Sequence, residues 1–428
     1  MMKTVKFYTL GCKVNQYDTQ EMRERLLQTG FEELEDSRPA DLYVINTCTV
    51  TQHADAKSLN IIRRVKRENP QARIIVTGCL TELDTDKIKK IDGISLIVKN
   101  KEKEDILKHL FFLNPQTRKP ANPQTINGIS YFKGHTRAFL KIQDGCDNFC
   151  SYCKVPLVRG PSRSRKLNEI VREAENLAKN GFKEIVLCGI CVGLYGKDLM
   201  PQMGVADVIE ALEEIGGISR IRLSSIEAAD VTEELIEKMS RSKKPCPHLH
   251  IPMQSGDNEI LRKMNRRYSR EDYLGLVKRI KNKISLATIT TDVLVGFPAE
   301  DESAFKNTVD LVNAAMPLKV HIFPYSRREG TSASNNFRYA INPLIIKERV
   351  VRLNAAADIT ANLCKKQLLG KETEVLVEGR VKENLQFWQG YTGNYIKVIF
   401  ETKDDLVNRI VRVKLKEITG DCLLGVLS

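Results

Sequence analysis

Three cysteines near the middle of the chain have the spacing of a metal-binding loop. Cys146, Cys150 and Cys153 are separated by three and then two residues, and they follow an apolar run, Ala138 to Ile142, that predicts a strand. Iron–sulfur clusters are usually held by four Cys thiolates, and structural zinc also takes four ligands. Because only three thiolates are present, the loop predicts a metal site with one open position, which favours chemistry over a structural role. A zinc knuckle completed from elsewhere is the alternative, although no His or Cys follows at knuckle spacing.

A second set of three cysteines occurs in the first 80 residues. Cys12, Cys48 and Cys79 each come just after a short apolar run, and helical patterns separate these runs, which predicts parallel strands. The carboxyl ends of parallel strands meet at one edge of a sheet, where ligands bind in open α/β folds. The pattern therefore predicts a second three-thiolate site, although any one of these cysteines alone could be a small buried hydrophobic residue.

Composition sets the class of protein. A chain of 428 residues with 42% hydrophobic residues predicts two or three globular domains. The formal net charge of +13 suits a polyanionic partner such as a nucleic acid. Eleven cysteines and a charged amino-terminal stretch without a secretory pattern predict a reducing, cytoplasmic location. No apolar run approaches the ~18 residues of a spanning helix, so no membrane partner is expected.

Changes in pattern along the chain predict three domains. Residues 113 to 130 contain three prolines and little apolar periodicity, which indicates a linker. We therefore expect an open parallel α/β domain at 1–113, a linker at 114–130, and a domain of six strand–helix steps at 131–370. Residues 371–428 contain short alternating apolar runs, which predict a small antiparallel β-barrel.

The words around the cysteines carry a family resemblance. The loop CDNFCSYC, with Tyr152 before its last Cys, resembles the radical S-adenosylmethionine (SAM) superfamily, whose core is a partial (β/α)6 barrel similar to a TIM barrel. The strings TLGCKVNQ, VINTCTVT and IIVTGCL resemble the amino-terminal domain of methylthiotransferases. The last segment resembles the TRAM domain, an RNA-binding barrel. The resemblance covers almost the whole chain.

This resemblance implies the cofactors and the reaction. Cys146, Cys150 and Cys153 would hold a [4Fe-4S] cluster that binds SAM, and Cys12, Cys48 and Cys79 a second [4Fe-4S] cluster that handles sulfur. SAM would serve twice, as methyl donor to sulfur and as the source of a 5'-deoxyadenosyl radical that abstracts a hydrogen from the substrate. A reduced flavodoxin- or ferredoxin-type protein would supply electrons, and a C–H hydrogen would be replaced by a methylthio group.

The resemblance also implies a substrate. The strings GCKVNQ, NTCTVT and QDGC are most similar to the branch that modifies C2 of N6-threonylcarbamoyladenosine at position 37 of tRNA. A threonylcarbamoyl carboxylate bound away from water needs a cationic partner. Arg159, Arg327 and Arg328 stand near the cluster loop or a strand end, so each is a candidate for this carboxylate or for a tRNA phosphate.

Residues after the strand ends should line the SAM and substrate pocket, as they do in related barrels. The candidates are Gly189, Ser225, Glu227, Gln254, Ser255, Phe297 and Tyr325. Around Gly189 the chain departs from the Thr-Gly-Val-Asn-like family pattern and has Cys188 and Cys191, which we expect to be structural thiols. His248, His250 and His321 are predicted to be buried, hydrogen-bonded side chains.

Two alternatives remain open from the sequence. The same chemistry could act on isopentenyladenosine in tRNA or on a ribosomal protein side chain. A protein of another class, an RNA-binding protein with structural or redox-sensing clusters, would share the basic charge and the small barrel. Both the tRNA-modifying enzyme and the RNA-binding protein would have RNA as their partner, and no DNA partner is expected. Release of 5'-deoxyadenosine from SAM would separate an enzyme from a binding protein.

Overall fold

The computed structural model describes residues 3–113, 128–337 and 340–428. The linker predicted at 114–130 lies almost entirely outside these residues, so its prediction stays a prediction. The three described regions nevertheless contain all six cysteines of the two predicted metal sites.

The amino-terminal region is a parallel sheet flanked by helices. Among residues 3–113 five parallel strands pair in the order β2-β1-β3-β4-β5. Every residue of β3 is buried, as a run of apolar and β-branched residues in the centre of a parallel sheet should be. The elements are β1 Lys3–Thr9, α1 Lys13–Gln28, β2 Phe31–Glu33, β3 Leu42–Thr47, α2 Gln52–Glu68, β4 Arg73–Gly78, α3 Leu80–Leu83, α4 Thr85–Lys89, β5 Leu96–Ile97 and α5 Ile106–Leu113.

The central region is a partial barrel. Within residues 128–337 six long or medium strands, β6 and β9 to β13, run parallel and neighbour one another in chain order. Bridges between Ile221 and Pro245 and between Ser225 and His250 join the first three strands to the last three. The barrel elements are β6 Arg137–Lys141, α7 Leu167–Lys179, β9 Glu184–Cys188, α8 Val205–Glu213, β10 Arg220–Leu223, α9 Glu233–Arg241, β11 His248–His250, α11 Arg270–Lys283, β12 Thr288–Val295, α12 Glu302–Ala315 and β13 Lys319–Pro324.

Shorter elements complete this region and lead to the last one. They are β7 Gln143–Asp144, α6 Val155–Arg159, β8 Arg163–Ser164, α10 Asn258–Lys263, α13 Ser332–Asn336 and α14 Pro343–Lys366. The predicted order of six strand–helix steps is confirmed. Apolar residues from the strands and from helices α7 to α14 form one continuous core outside the barrel.

The amino-terminal sheet covers the open side of the barrel. On the first strand, the Lys141 ammonium lies 2.7 Å from the Asp18 carboxylate of α1. Beyond the last strand, the Arg328 guanidinium lies 2.7 Å from Asp55 of α2, and the Gln52 amide donates to the Arg327 carbonyl at 3.1 Å. The two regions therefore enclose a shared interior, and we call this space the lumen.

The carboxyl-terminal region is a closed barrel. In residues 340–428 five strands close in the order β14-β15-β16-β18-β17. The pairs β14–β15, β14–β17, β15–β16 and β17–β18 are antiparallel, as expected for the small barrel, and the pair β16–β18 is parallel. The strands are β14 Glu372–Val381, β15 Asn384–Thr392, β16 Lys397–Glu401, β17 Ile410–Thr419 and β18 Cys422–Leu427. Trp388 is 2% exposed and packs in this core, so it does not present a surface for base stacking.

This small barrel sits against the amino ends of the central strands. Arg220 donates to the carbonyls of Glu374 and Tyr391 at 2.8 and 3.0 Å, and Arg222 donates to the carbonyl of Gly393 at 2.9 Å. Both arginines are buried and also face Glu184. The carboxyl-terminal barrel thus forms the floor of the lumen, opposite the cluster loop. No helix in the described ranges has the length and apolar character needed to cross a bilayer.

Candidate active site

The CxxxCxxC loop lies between β7 and α6 at the carboxyl ends of the barrel strands. Gly145 starts the loop with a φ of +76°, and a Cβ there would lie 1.9 Å from the Pro161 carbonyl oxygen, so only glycine fits. The Asn265 side-chain amide donates to the Phe149 carbonyl at 3.0 Å and holds the middle of the loop. Contacts with residues outside the loop therefore fix both its start, at Gly145, and its middle, at Phe149.

The three thiols of this loop share a partly desolvated pocket. Burial raises the pKa of Cys146 to about 11 and that of Cys153 to about 12, and the neighbouring Cys150 raises both further. The Arg266 guanidinium lies 3.2 Å from the Cys150 sulfur, and the Val155 amide lies 3.4 Å from the Cys153 sulfur. Metal ligation requires thiolates, and the cation and backbone donor around these sulfurs suit a negatively charged thiolate–metal group.

The second cysteine set meets at one edge of the amino-terminal sheet, as predicted from the strand order. Cys48 and Cys79 follow the adjacent strands β3 and β4, and Cys12 is the N-cap residue of α1. Burial raises the pKa of Cys48 to about 11, with the charges of Cys79 and Cys12 as further causes. A Cβ on Gly11 would lie 3.0 Å from the Cys48 sulfur, so glycine leaves this side of the thiol clear.

Polar side chains tie the loops of this second site together. The Asn15 amide donates to the carbonyls of Leu10 and Thr47 at 2.7 and 3.0 Å. The hydroxyl of Thr77 is buried without a hydrogen-bond partner among the described residues. The side-chain oxygen of Asn46, the residue two before Cys48, is also buried without a partner there, so two polar groups close to the strand ends are left unpaired.

Arg159 connects the two cysteine sites. It is 3% exposed, its guanidinium lies 2.8 Å from Asp144 beside the CxxxCxxC loop, and it also donates to the side-chain oxygen of Asn15 near the other site. The pKa of Arg159 is raised well above its usual value against the effect of burial, with Asp144, Cys79 and Asp18 among the causes. By sequence Arg159 is a candidate for a substrate carboxylate or a tRNA phosphate, whereas in the structure its guanidinium bonds to Asp144 and Asn15 within the chain.

The departure at Cys188 and Cys191 lies beside the CxxxCxxC loop. Both thiols are buried, and burial raises the pKa of each, that of Cys191 to about 12. The Asn148 side-chain amide of the loop lies 3.9 Å from the Cys191 sulfur, and the Asp230 carboxylate lies 3.7 Å from it. Cys191 therefore borders the first cysteine site.

The remaining predicted arginines are placed at the junction with the amino-terminal sheet. Arg328 is 4% exposed and donates to Thr49 and Asp55, so its nitrogen Nη2 is also used within the chain. Arg327 donates to the Ser334 carbonyl at 2.9 Å and is partly exposed. Of the three arginines, Arg327 alone is exposed enough to meet a ligand directly.

The predicted pocket residues divide into two groups, and the first borders the lumen. Gly189 lies where a Cβ would approach the Gln143 side-chain oxygen to 2.7 Å. Ser225 bridges to the strand β11, and Glu227 pairs with Arg266 at 2.6 Å, while burial raises the pKa of Glu227. These residues follow the ends of β9 and β10, beside the cysteine loop.

The residues of the second group mainly contact other side chains of the protein and contribute less to a pocket wall. Phe297 is fully buried and makes an edge-to-face contact with Tyr325, with ring centres 5.6 Å apart. Ser255 is buried and faces the Thr308 hydroxyl. Gln254 has a φ of +61°, a strained conformation for a residue with a side chain, and such positions cluster at ligand sites.

Comparisons with known proteins agree with this geometry. Residues 140–312 match the radical SAM superfamily and residues 4–99 match a family described as Uncharacterized protein family UPF0004. The radical SAM methyltransferase TsrM of Kitasatospora setae has a similar fold, with a TM-score of 0.58 at 14% identity over 78% of this chain and 74% of that one. The fold and the cysteine loop thus define a radical SAM protein.

Full-length relatives define the family more narrowly. The chain is 39% identical to the threonylcarbamoyladenosine tRNA methylthiotransferase MtaB of Bacillus subtilis, over 97% of this chain and 94% of that protein. It is 34% identical to the tRNA-2-methylthio-N(6)-dimethylallyladenosine synthase of Clostridium tetani, over 97% and 94%. The chain belongs to the radical SAM methylthiotransferase family. This family uses SAM and [4Fe-4S] clusters.

Proposed function

We propose that this protein replaces the C2 hydrogen of N6-threonylcarbamoyladenosine at position 37 of tRNA with a methylthio group. The observation that supports the proposal is the link through Arg159, which bonds to Asp144 beside one three-cysteine site and to Asn15 beside the other. One site for radical generation and one for sulfur must both reach the same substrate carbon, and such an arrangement allows it. The full-length similarity to MtaB proteins favours the threonylcarbamoyl substrate.

The cysteines have distinct roles in this proposal. Cys146, Cys150 and Cys153 hold the [4Fe-4S] cluster that binds SAM, and Cys12, Cys48 and Cys79 hold the second cluster. When bound, these groups supply one-electron reduction of SAM and a sulfur atom for transfer. The chain itself contributes the positions of the thiolates, the cation of Arg266 at Cys150, and a lumen bounded on its side by the amino-terminal sheet and at its floor by the carboxyl-terminal barrel.

The partners follow from the same proposal. Exposed cations stand near the cluster loop, among them Arg262, Arg267 and Lys197, where they can contact tRNA phosphates. The carboxyl-terminal barrel, residues 371–428, has nine Lys and Arg and nine Asp and Glu, so the excess positive charge lies upstream of it. Reduced flavodoxin- or ferredoxin-type proteins supply the electrons, and the reaction takes place in the cytoplasm, where tRNA is modified.

Nucleoside analysis tests the substrate. In cells that lack the gene, the methylthio form of threonylcarbamoyladenosine should disappear from tRNA, and the isopentenyl series should be unchanged. The C. tetani relative makes the isopentenyl substrate the second candidate. Loss of the methylthio isopentenyl nucleoside with retention of the threonylcarbamoyl one would reverse the substrate assignment. Failure of the purified, cluster-loaded protein to release 5'-deoxyadenosine from SAM would contradict the enzyme itself.

A further inference from the structure

Two histidines and one aspartate form a compact group on three neighbouring strands of the central barrel. His250, Asp292 and His321 lie on β11, β12 and β13, and one ligand atom of each lies within 4.8 Å of the other two. Asp292 and His321 are paired directly in the register of β12 with β13. The Nε2 atom of His250 lies 3.2 Å from the Asp292 carboxylate. Imidazole and carboxylate groups are ligands that divalent transition metals take in proteins.

The three side chains of this group project into the lumen. Leu249, Val293 and Val320, each next to one of the three in sequence, pack in the core that the strands share with the outer helices. The Tyr273 hydroxyl of α11 donates to the Thr291 hydroxyl at 3.2 Å, so Thr291 also faces outward. Because successive residues of a strand point to opposite faces, the two histidines and the aspartate point inward. All three ligands therefore lie on one inner wall, and the space in front of them is open to a further ligand.

A hydroxyl group orients the first of these ligands. The Nδ1 atom of His250 lies 2.9 Å from the Thr290 hydroxyl oxygen on the next strand. The same oxygen lies 3.0 Å from Nε2 of His248, which is buried against Tyr395 of the carboxyl-terminal barrel. Thr290 can therefore accept a hydrogen bond from His250 and donate one to His248, which leaves the Nε2 lone pair of His250 available. A histidine that ligates a metal usually donates its other ring N–H to such a partner.

Asp292 differs from the buried carboxylates around it in having no cationic side chain as a partner. Its carboxylate is half-buried inside the barrel, and no Lys or Arg of the described residues lies within 4.0 Å of it. The five carboxylates that are fully buried in residues 128–337 each pair with a Lys or Arg at 2.6–2.9 Å; they are Glu173, Glu184, Glu227, Asp230 and Glu300. A carboxylate taken out of water needs a positive partner, and a metal ion held with the two histidines would supply it.

The His321 ring has no fixed partner. Its centre lies 5.8 Å from that of His250, and its nitrogens take part in no hydrogen bond with the residues that the structure describes. The ring is half-buried, so the expectation from sequence that His321 is buried and hydrogen-bonded is wrong. Metal–ligand bonds of about 2.0–2.2 Å place two ligand atoms of one ion about 3–4 Å apart. A rotation of His321 can therefore complete such a site without breaking a contact.

We propose that His250, Asp292 and His321 bind one divalent transition-metal ion, zinc(II) or iron(II). Two imidazole nitrogens and one carboxylate are the protein ligands of many catalytic zinc sites and of mononuclear iron(II) sites, which keep a position open. Here the open position faces the lumen, where it can take a water molecule or an oxygen or nitrogen atom of a substrate. The ion is separate from both cysteine sites, because none of its ligands is a thiolate, and its binding does not depend on the tRNA substrate.

Metal analysis of the cluster-loaded protein tests this proposal. The protein is dialysed against a chelator and titrated with zinc(II) or iron(II) by equilibrium dialysis, and both metals are measured by mass spectrometry. Wild-type protein should bind one such ion per chain in addition to the cluster iron. Asp292→Asn and His321→Gln should lose this ion and keep the cluster iron. Thr290→Val retains all three ligands but not their hydrogen bond, so it should weaken zinc binding about ten- to 100-fold, the usual effect of an outer partner.

A matched control separates this group from an ordinary surface pair. The Nε2 atom of His109 lies 3.7 Å from the Glu102 carboxylate in the amino-terminal region, so this pair offers one histidine and one carboxylate outside the lumen. His109→Gln should therefore bind zinc as the wild type does. Circular dichroism and iron content show whether each variant is folded. Should Asp292→Asn fail to fold, His321→Gln and Thr290→Val decide the test.

Three results would overturn the proposal. The first is a wild-type protein that takes up neither zinc nor additional iron(II) in stoichiometric amount. The second is one ion per chain that folded Asp292→Asn and His321→Gln both retain, which would place the ion elsewhere. The third is zinc that binds only when the cluster iron is missing, which would assign it to the thiolates of the cysteine sites. Since none of these measurements involves SAM or tRNA, each result leaves the proposed function in place.

Discussion

Asp18 joins the amino-terminal sheet to the central barrel through three cations. Its carboxylate lies 2.8 Å from Lys103, 2.7 Å from Lys141 and 3.6 Å from Arg159. Burial alone would raise the pKa of Asp18, but the three cations outweigh burial and hold the pKa well below its usual value. Replacing Asp18 by Asn keeps the shape of the side chain and leaves the cations without their shared anion.

The free-energy cost of Asp18→Asn follows from the burial of the ion pairs that it removes. Removing one partner of a buried ion pair typically costs about 3–5 kcal/mol, because the remaining charge stays out of water. Since each ~1.4 kcal/mol is a tenfold change, the equilibrium for opening this junction should shift by about two to almost four powers of ten. The shift should be confined to the elements that these four residues join, namely α1, β6, α6 and the segment around Lys103 that precedes α5.

Hydrogen exchange measures this opening directly. Amides of α1 and β6 should exchange faster in Asp18→Asn by the factor above, whereas urea unfolding followed by the fluorescence of Trp388, the single tryptophan, should report an unchanged carboxyl-terminal barrel. Asp36→Asn, which removes an exposed pair with Arg38, is the control and should change neither signal. Exchange in α1 that stays at the wild-type rate would refute the argument that Asp18 holds the junction.

Three further results are expected. Replacing all three cysteines of either site with alanine should remove about half of the iron. SAM cleavage should stop in the triple variant of Cys146, Cys150 and Cys153 and persist in that of Cys12, Cys48 and Cys79. Full retention of iron in either variant would contradict the assigned ligands. A Cys188→Ser, Cys191→Ser double variant should keep the iron of both sites by metal analysis, since neither thiol is needed as a ligand. The stability that Asp18 contributes should be present above the unfolded pKa of ~4 and be lost as the pH falls further, so the opening equilibria of wild type and Asp18→Asn, taken from hydrogen exchange of α1 amides, should converge in acid.

The fold followed from local patterns in the sequence. The apolar runs before Cys12, Cys48 and Cys79 form β1, β3 and β4, which lie side by side and parallel. Each run could be predicted because it is apolar enough to be a buried strand and ends in residues that turn the chain. The edge strands β2 and β5 escaped prediction since they are two or three residues long and half exposed. The parallel pairing of β16 with β18 also escaped, because strand partners are chosen by the closed barrel and not by either strand alone.

The roles of the site residues were harder to predict from sequence where their partners are distant along the chain. Arg159 and Arg328 had the right charge for a substrate carboxylate, but Asp144 and Asp55 pair with them, and the Asp55 partner is 273 residues away from Arg328. Charge identifies candidates, whereas the packing of domains decides which of them remain free.

The covering of the open barrel by the amino-terminal sheet has a consequence for the order of synthesis. All six cysteines of the two sites precede residue 154, and the first tie, between Asp18 and Lys141, can form soon after they leave the ribosome. The second tie needs Arg328, which is made much later. Since domains fold in order as the chain emerges, the site of Cys12, Cys48 and Cys79 can form in its own domain before the central barrel is complete. Metal delivery to this site during translation therefore meets a sheet edge that the barrel does not yet cover.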